Sequence, residues 1–292
     1  MLNIYEQVQQ NKLKSNLVIF LFIAFIISLA YALSLTFDLN NSFLSFAILF
    51  SSFSGLVSFF YGDKIVLKLN NAHPADRKNY FNYYTAVENL SMANQTPMPK
   101  IYIINNPSPN AFATGRDPDN AIVCVTTGLL EKLNKGELEA VIAHELSHIK
   151  NYDIRLMMIV SILVGSISIL IRSLSRNHFQ KNNRNDRKSN PLAIMGFILI
   201  IFAPIIAKLI QLAISRRREF LADASAVKLT RQPQSLIDAL TKISSDPNIL
   251  ETASTATASL YISNPFKNNK LASMFSTHPP IKQRIQILQQ ML

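Results

Sequence analysis

The chain has 292 residues, 49% of them apolar, and a formal net charge of +11. Its single cysteine, Cys124, excludes an internal disulfide and fits a reducing compartment. The positive charge raises the question of nucleic acid, but much of the basic excess borders apolar runs. Anionic lipid headgroups and the setting of membrane topology are therefore its expected uses, and nucleic acid is not an expected partner.

Residues 1–15 are expected to be a cytoplasmic N-terminus. Residues 16–37 and 43–61 follow as nearly uncharged runs of 22 and 19 residues. Each is long enough to cross a hydrocarbon core of about 30 Å at about 1.5 Å per residue. The short link 38–42 makes 16–61 a tight transmembrane hairpin. The first run is too long for the apolar part of a signal peptide and a second run follows at once, so a retained anchor is expected. Lys12 and Lys14 at one end, Lys64 and Lys68 at the other, and no basic residue in the turn place both ends of the hairpin in the cytoplasm.

Residues 62–154 change to the pattern of a compact domain. Stretches 64–71 and 77–92 read as helices, and 100–104, 110–115 and 121–125 read as short strands separated by Pro and Asp/Asn turns. Cys124 lies in the last of these and reads as a small core residue. A helix follows, opened by a capping box of Asn134 and Glu137 and carrying an apolar stripe of Leu138, Val141, Ile142, Leu146 and Ile149. Inside that stripe stands His144-Glu145-Leu146-Ser147-His148. Residues four apart share a helix face, so His144 and His148 can grip one metal ion while Glu145, one step round, reaches a water beside it. An ordinary helix surface is the plainer reading, but such a pattern recurs by chance far less than once in a chain with five histidines. Asp153 either orients one of these histidines or simply ends the helix.

Residues 155–215 are expected to form a second apolar hairpin from the runs 156–171 and 191–215, the latter holding Lys208. Between them, the loop 172–190 carries Arg172, Arg176, Lys181, Arg184, Arg187 and Lys188 against Asp186, and such a loop resists export. Full crossing and a re-entrant or interfacial hairpin both remain open. Residues 216–292 are expected to complete the domain that carries this helix, with helices at 234–244 and 281–292 and a mobile Ser/Thr/Asn-rich stretch at 252–269.

A catalytic zinc takes three protein ligands and leaves a fourth position for water. His73, beside a proline, and His178, in the basic loop, are poorly placed. Glu219 and Asp223 are four apart on an expected helix, so Glu219 could bind the metal while Asp223 accepts a hydrogen bond from a ligating imidazole. The same spacing equally fits a solvated face that balances Arg216, Arg217 and Arg218. Asn110, Ala111, Phe112 and Ala113 form a strand expected beside the cleft, where an exposed edge can pair with an extended substrate backbone; a core strand is the alternative.

The N-terminal hairpin, Asn110-Ala111-Phe112-Ala113-Thr114-Gly115, the run from His144 to Asp153, the stretch from Arg218 to Asp223, and Thr277-His278-Pro279-Pro280 with Arg284 after it together resemble the HtpX group of membrane-bound zinc metalloproteases. That group sits in a larger clan with prenyl-protein endopeptidases of the CAAX type, and the resemblance covers most of the chain. It implies that His144, His148 and Glu219 hold one Zn2+ per chain and that Glu145 is catalytic. It also implies an active site facing the cytoplasm, a multi-pass protein of the bacterial inner membrane, and a role in clearing misfolded or damaged membrane proteins. The expected fold is a mainly α membrane protein: transmembrane helices plus a zincin-type α+β metalloprotease domain with a short sheet and a His-Glu-x-x-His helix. His278 is a candidate oxyanion stabiliser, because its ring can donate a hydrogen bond, or else a residue that opens the last helix. The expected partners are unfolded or membrane-protein polypeptides and the lipid bilayer. Two rival readings are a specific processing endopeptidase of the CAAX type and a non-enzymatic membrane scaffold with zinc bound for structure. The scaffold would want four protein ligands and no adjacent general base, and Glu145 speaks against it.

Overall fold

A computed structural model describes residues 4–37, 41–163, 165, 216–250, 257–263, 265 and 279–292. Helices α1 (Ile4–Phe37) and α2 (Asn41–Leu69) pack on each other, and the short connection between them makes the pair antiparallel. Residues 4–15, expected to precede the membrane helix, are instead its first turns. No Gly or Pro interrupts the chain from Ile4 to Phe37, and Gln, Lys and Leu there favour the helix. Likewise the expected helix at 64–71 is the continuation of α2. Among the described residues, Val8–Ser28 is the stretch long and apolar enough to cross a membrane.

The chain then builds a small mixed sheet from β1 (His73–Pro74), β2 (Lys100–Ile104), β3 (Ala111–Gly115) and β4 (Ala121–Thr126), in the order β1-β2-β4-β3. β2 and β4 run parallel, and β1 and β3 pair antiparallel to their neighbours. α3 (Phe81–Asn94) precedes β2, and α4 (Thr127–Lys132) leads from β4 to α5 (Lys135–Lys150). Helical backbone resumes at once over 153–163, here α6. α7 (Arg216–Thr230), α8 (Pro233–Ser245) and α9 (Ile281–Gln289) complete the described chain.

β3 and β4 are buried on both faces, and alternation sorts their side chains into two cores. Ala111, Ala113, Val123 and Val125 face a core shared with Tyr83 of α3, Val141 and Leu146 of α5, and Leu240 of α8. Phe112 and Cys124 face the other, shared with Val18 and Phe22 of α1, Val66 of α2, and Met158 of α6. The α1–α2 hairpin is thus packed directly against the back of the sheet. Gly62 of α2 permits part of this contact: a Cβ there would lie 2.7 Å from Ile162 Cδ1 and 2.8 Å from Met158 Sδ.

Of the second apolar pair, 156–163 is helical and mostly buried in this second core, whereas 166–215, with the basic loop, lies outside the described residues. Within the stretch 252–269, expected to be mobile, residues 257–263 are largely buried and held in place. The Thr257 and Tyr261 hydroxyls both donate to Asn70 Oδ1, at 3.0 and 2.9 Å, and the Ile262 N–H donates to the Ala111 carbonyl at 2.9 Å. Its polar composition concealed this, because the anchoring partners come from Asn70, just past α2, and from β3, far away in sequence.

Candidate metal centre

α5 begins where Asn134 and Glu137 exchange side-chain and backbone hydrogen bonds of 2.9 and 2.8 Å, the expected capping box. From Leu138 to Ile149 nearly every residue is buried, because the helix is enclosed by β3, α3, α7 and α8. His144, Glu145 and His148 therefore all lie in the interior. α7 crosses α5 and brings Glu219 and Asp223, both equally buried, to the same place.

The two imidazoles turn their Nε2 atoms toward each other, 3.2 Å apart. Glu219 closes the triangle with Oε1 3.5 Å from His148 Nε2 and Oε2 3.8 Å from His144 Nε2. Two donors each about 2.1 Å from a tetrahedral zinc stand about 3.4 Å apart, so these spacings suit that ion. Each remaining ring nitrogen meets its own carboxylate: His144 Nδ1 lies 3.0 Å from Asp223 Oδ1 and His148 Nδ1 lies 3.0 Å from Asp153 Oδ2. Such a carboxylate accepts a hydrogen bond from Nδ1–H, which fixes that tautomer and leaves the Nε2 lone pair facing the metal position. The donor set, two imidazoles and one carboxylate, fits zinc in a hydrolase site.

Asp153 reaches His148 because of the turn that ends α5. Tyr152 takes a left-handed backbone conformation, φ 60°, costing roughly 1 kcal/mol for a residue with a Cβ. That reversal starts α6 directly under the histidine.

The charges around the two imidazoles differ. Burial and the nearby Arg284 guanidinium push His144 down to about 4, against the pull of Asp223. Burial also works against a charged His148, but its hydrogen bond to Asp153 and the charges of Glu219, Asp153 and Glu145 outweigh it and raise the group to about 9. Asp223 is disfavoured as an anion by burial, yet Arg284 and His144 together hold it down at about 2.

Arg284 is the functional neighbour that pattern reasoning on α9 passed over. It is fully buried, and its Nε and Nη2 donate to the two oxygens of Asp223 at 2.8 and 2.6 Å. Nη1 donates to the Ile262 carbonyl at 3.3 Å and lies 3.7 Å from Glu219 Oε2. The only signal for it in the sequence was its place after the Thr-His-Pro-Pro stretch; a lone Arg on a short amphipathic helix otherwise reads as surface. Replacing Arg284 with Met strands the buried Asp223 carboxylate and is expected to cost about 3 kcal/mol or more of stability. Denaturant unfolding of the metal-free protein in detergent measures this. The Asp223→Leu, Arg284→Met double variant should lose less than the sum of the two single changes.

β3 is an edge strand of the sheet, but all five of its residues are buried, unlike the exposed edge expected for substrate pairing. Asn110 is hydrogen-bonded to Thr126 of β4, so by antiparallel alternation Phe112 also turns its backbone inward while Ala111 and Ala113 turn theirs outward. The Ala111 carbonyl already receives Ile262, and the Asn110 side chain is tied to Ser263. Phe112 is a core side chain, its ring edge-on to Tyr261 at 5.0 Å. His278 lies outside the described residues.

Comparison with known proteins adds a family to this geometry. A model described as peptidase family M48 matches residues 83–292. A protein named "Protease HtpX homolog" from Dictyoglomus turgidum is 43% identical over 287 residues, 98% of this chain and 94% of its own. Proteins of the same name from Caldanaerobacter subterraneus subsp. tengcongensis and Streptococcus uberis are 40% and 41% identical over 98% and 99% of this chain, and 97% and 100% of their own. Among solved structures, Ste24p of S. mikatae shares the fold at a TM-score of 0.51 and 22% identity, covering 97% of this chain and 67% of that one.

Proposed function

The chain belongs to peptidase family M48 and is a membrane-associated zinc metalloprotease, and from that premise we propose that it is an endopeptidase that cuts misfolded or damaged membrane proteins. In this reading His144, His148 and Glu219 hold one zinc, Asp223 and Asp153 fix the two imidazoles, and Glu145 moves the proton. The observation that carries it is the convergence of the two Nε2 atoms and the Glu219 carboxylate while both Nδ1 atoms are held by carboxylates. Among the described residues three such donors converge, which leaves a fourth position open, as a catalytic site needs and a structural one does not.

When bound, zinc supplies a Lewis acid that polarises the scissile carbonyl and acidifies water. Glu145, buried beside His144, takes the proton of the attacking water and returns it to the leaving amine, base first and acid second. Arg284, through Asp223, keeps the His144 ring in register during this exchange. A substrate backbone pairs with the outward groups of β3 at Ala113, the part of the expected strand 110–113 that the Ile262 contact leaves to it. Main-chain pairing of this kind asks little of sequence, which suits unfolded chains.

Location supports a membrane substrate. The N-terminal part of α1 docks at Asn151 and Asp153, and the C-terminal end of α2 docks at Thr257 and Tyr261, so both ends of the hairpin lie on the side that carries the metal site. With basic residues at those ends, that side is the cytoplasm of a multi-pass inner-membrane protein. Zinc-loaded full-length protein is expected to cleave a destabilised membrane protein several-fold faster than casein when both are offered in the same nanodisc preparation. Equal rates would remove the membrane-substrate part of this reading, and failure to cut either would remove endoproteolysis of unfolded chains.

A further inference from the structure

Asn11 stands in the helix that enters the membrane, yet it is buried and fully hydrogen-bonded at the back of the metal site. Its Nδ2 donates to Asp153 Oδ1 at 2.7 Å and to the Asn151 carbonyl at 2.9 Å. Its Oδ1 accepts from Arg218 Nη1 at 3.4 Å, and the same Arg218 nitrogen lies 3.3 Å from Asp153 Oδ1. Chemistry fixes the amide's orientation: a carboxylate and a carbonyl only accept, and a guanidinium only donates. One side chain therefore joins three parts of the protein: α1, the turn between α5 and α6, and the residue of α7 that precedes Glu219.

The Asp153 carboxylate is engaged at both oxygens. Oδ2 holds His148, and Oδ1 is held by Asn11 and Arg218. The His148 ring can be no better fixed than the carboxylate that holds it. Asn11 makes the shorter of the two contacts to Oδ1 and is itself locked in place by α1, whose Ser15 hydroxyl caps the Asn11 carbonyl at 2.7 Å. Lys12, the next residue, lies 4.2 Å over the ring of Tyr152 in the same turn.

We propose that Asn11 is a positioning residue of the metal centre, setting Asp153 against His148, so that the anchoring helix is itself part of what retains the metal. The proposal rests on the reading of His148 as a ligand. Unseating the N-terminal part of α1 would leave Oδ1 to the longer Arg218 contact alone, let the carboxylate shift, and loosen His148 without any change in the ligands themselves.

Zinc transfer from the full-length protein in detergent to an excess of a colorimetric chelator tests this. Asn11→Ala is expected to speed zinc loss about ten-fold, within the range seen when partners of metal-ligating histidines are removed. Phe22→Ala, which thins the apolar packing of α1 away from the polar contacts, should stay within about two-fold of wild type. In an Asp153→Ala background, Asn11→Ala should add nothing, because its effect runs through that carboxylate. Wild-type release from Asn11→Ala, equal acceleration by Phe22→Ala, or full additivity with Asp153→Ala would each overturn the proposal. Asn11→Ser, too short to reach Asp153, repeats the test if the alanine variant does not fold, and misfolding of both would assign Asn11 to the fold instead. His148→Ala separates the two claims: stoichiometric zinc in that variant would remove the ligand reading, whatever Asn11 does.

Discussion

Glu145→Gln is expected to keep zinc bound and to lower proteolysis by about 10²–10⁴-fold, the contribution of a well-placed general base. Gln has nearly the shape of Glu and occupies the same enclosed space on α5, between the sheet and α7, so the fold and the ligand triangle survive. What is lost is the group that can accept the water's proton and hand it on. At about 1.4 kcal/mol per ten-fold, the loss corresponds to roughly 3–6 kcal/mol of transition-state stabilisation. The measurement is bound zinc and cleavage rate on the same preparation. If cleavage persists near wild type with zinc in place, another residue is the base. If zinc is lost as well, Glu145 supports the metal rather than the proton transfer.

Glu219→Ala is expected to have the second large effect, on the metal itself. On the proposed reading the change removes one of three ligands and leaves two imidazoles that cannot close the triangle. Loss of a partner behind a ligand typically costs 10–100-fold in metal affinity, so loss of the ligand is expected to cost more than about 100-fold. Dialysed protein should then hold substoichiometric zinc and show no cleavage above background. Asp223→Ala belongs a step below it: weaker zinc, slower cleavage, both recoverable at high zinc concentration. If Glu219→Ala retained a full complement of zinc, the third ligand would have to be sought elsewhere.

The metal helix was legible in the sequence because each of its determinants is local. Asn134 and Glu137 cap it, the apolar stripe turns it inward, and His144 and His148 share a face by helical geometry alone. Three of the strands were legible for the same reason, since Pro and Asp/Asn turns delimit them. Glu219 and Asp223 had the right spacing, but residues 216–218 offered an equally good solvated face, and only the crossing of α7 over α5 decides between them. Arg284 and Asn11 are another matter. Arg284 sits on a short helix whose pattern reads as amphipathic, Asn11 in a segment expected to be a cytoplasmic N-terminus, and each owes its place to a carboxylate far off in sequence: Asp223 for one, Asp153 for the other. The compact path of residues 257–263 was hidden similarly, because Asn70 and Ala111 hold it in place.

Arg284 lies in the last helix of the chain, yet it grips the carboxylate that orients His144. Translation delivers the His-Glu-x-x-His helix long before this arginine. A ribosome-bound chain thus lacks the clamp on Asp223 until α9 has emerged. The two helices that bring the imidazoles and Glu219 together are made before the residue that fixes Asp223 against His144, so the metal position is assembled first and tightened later.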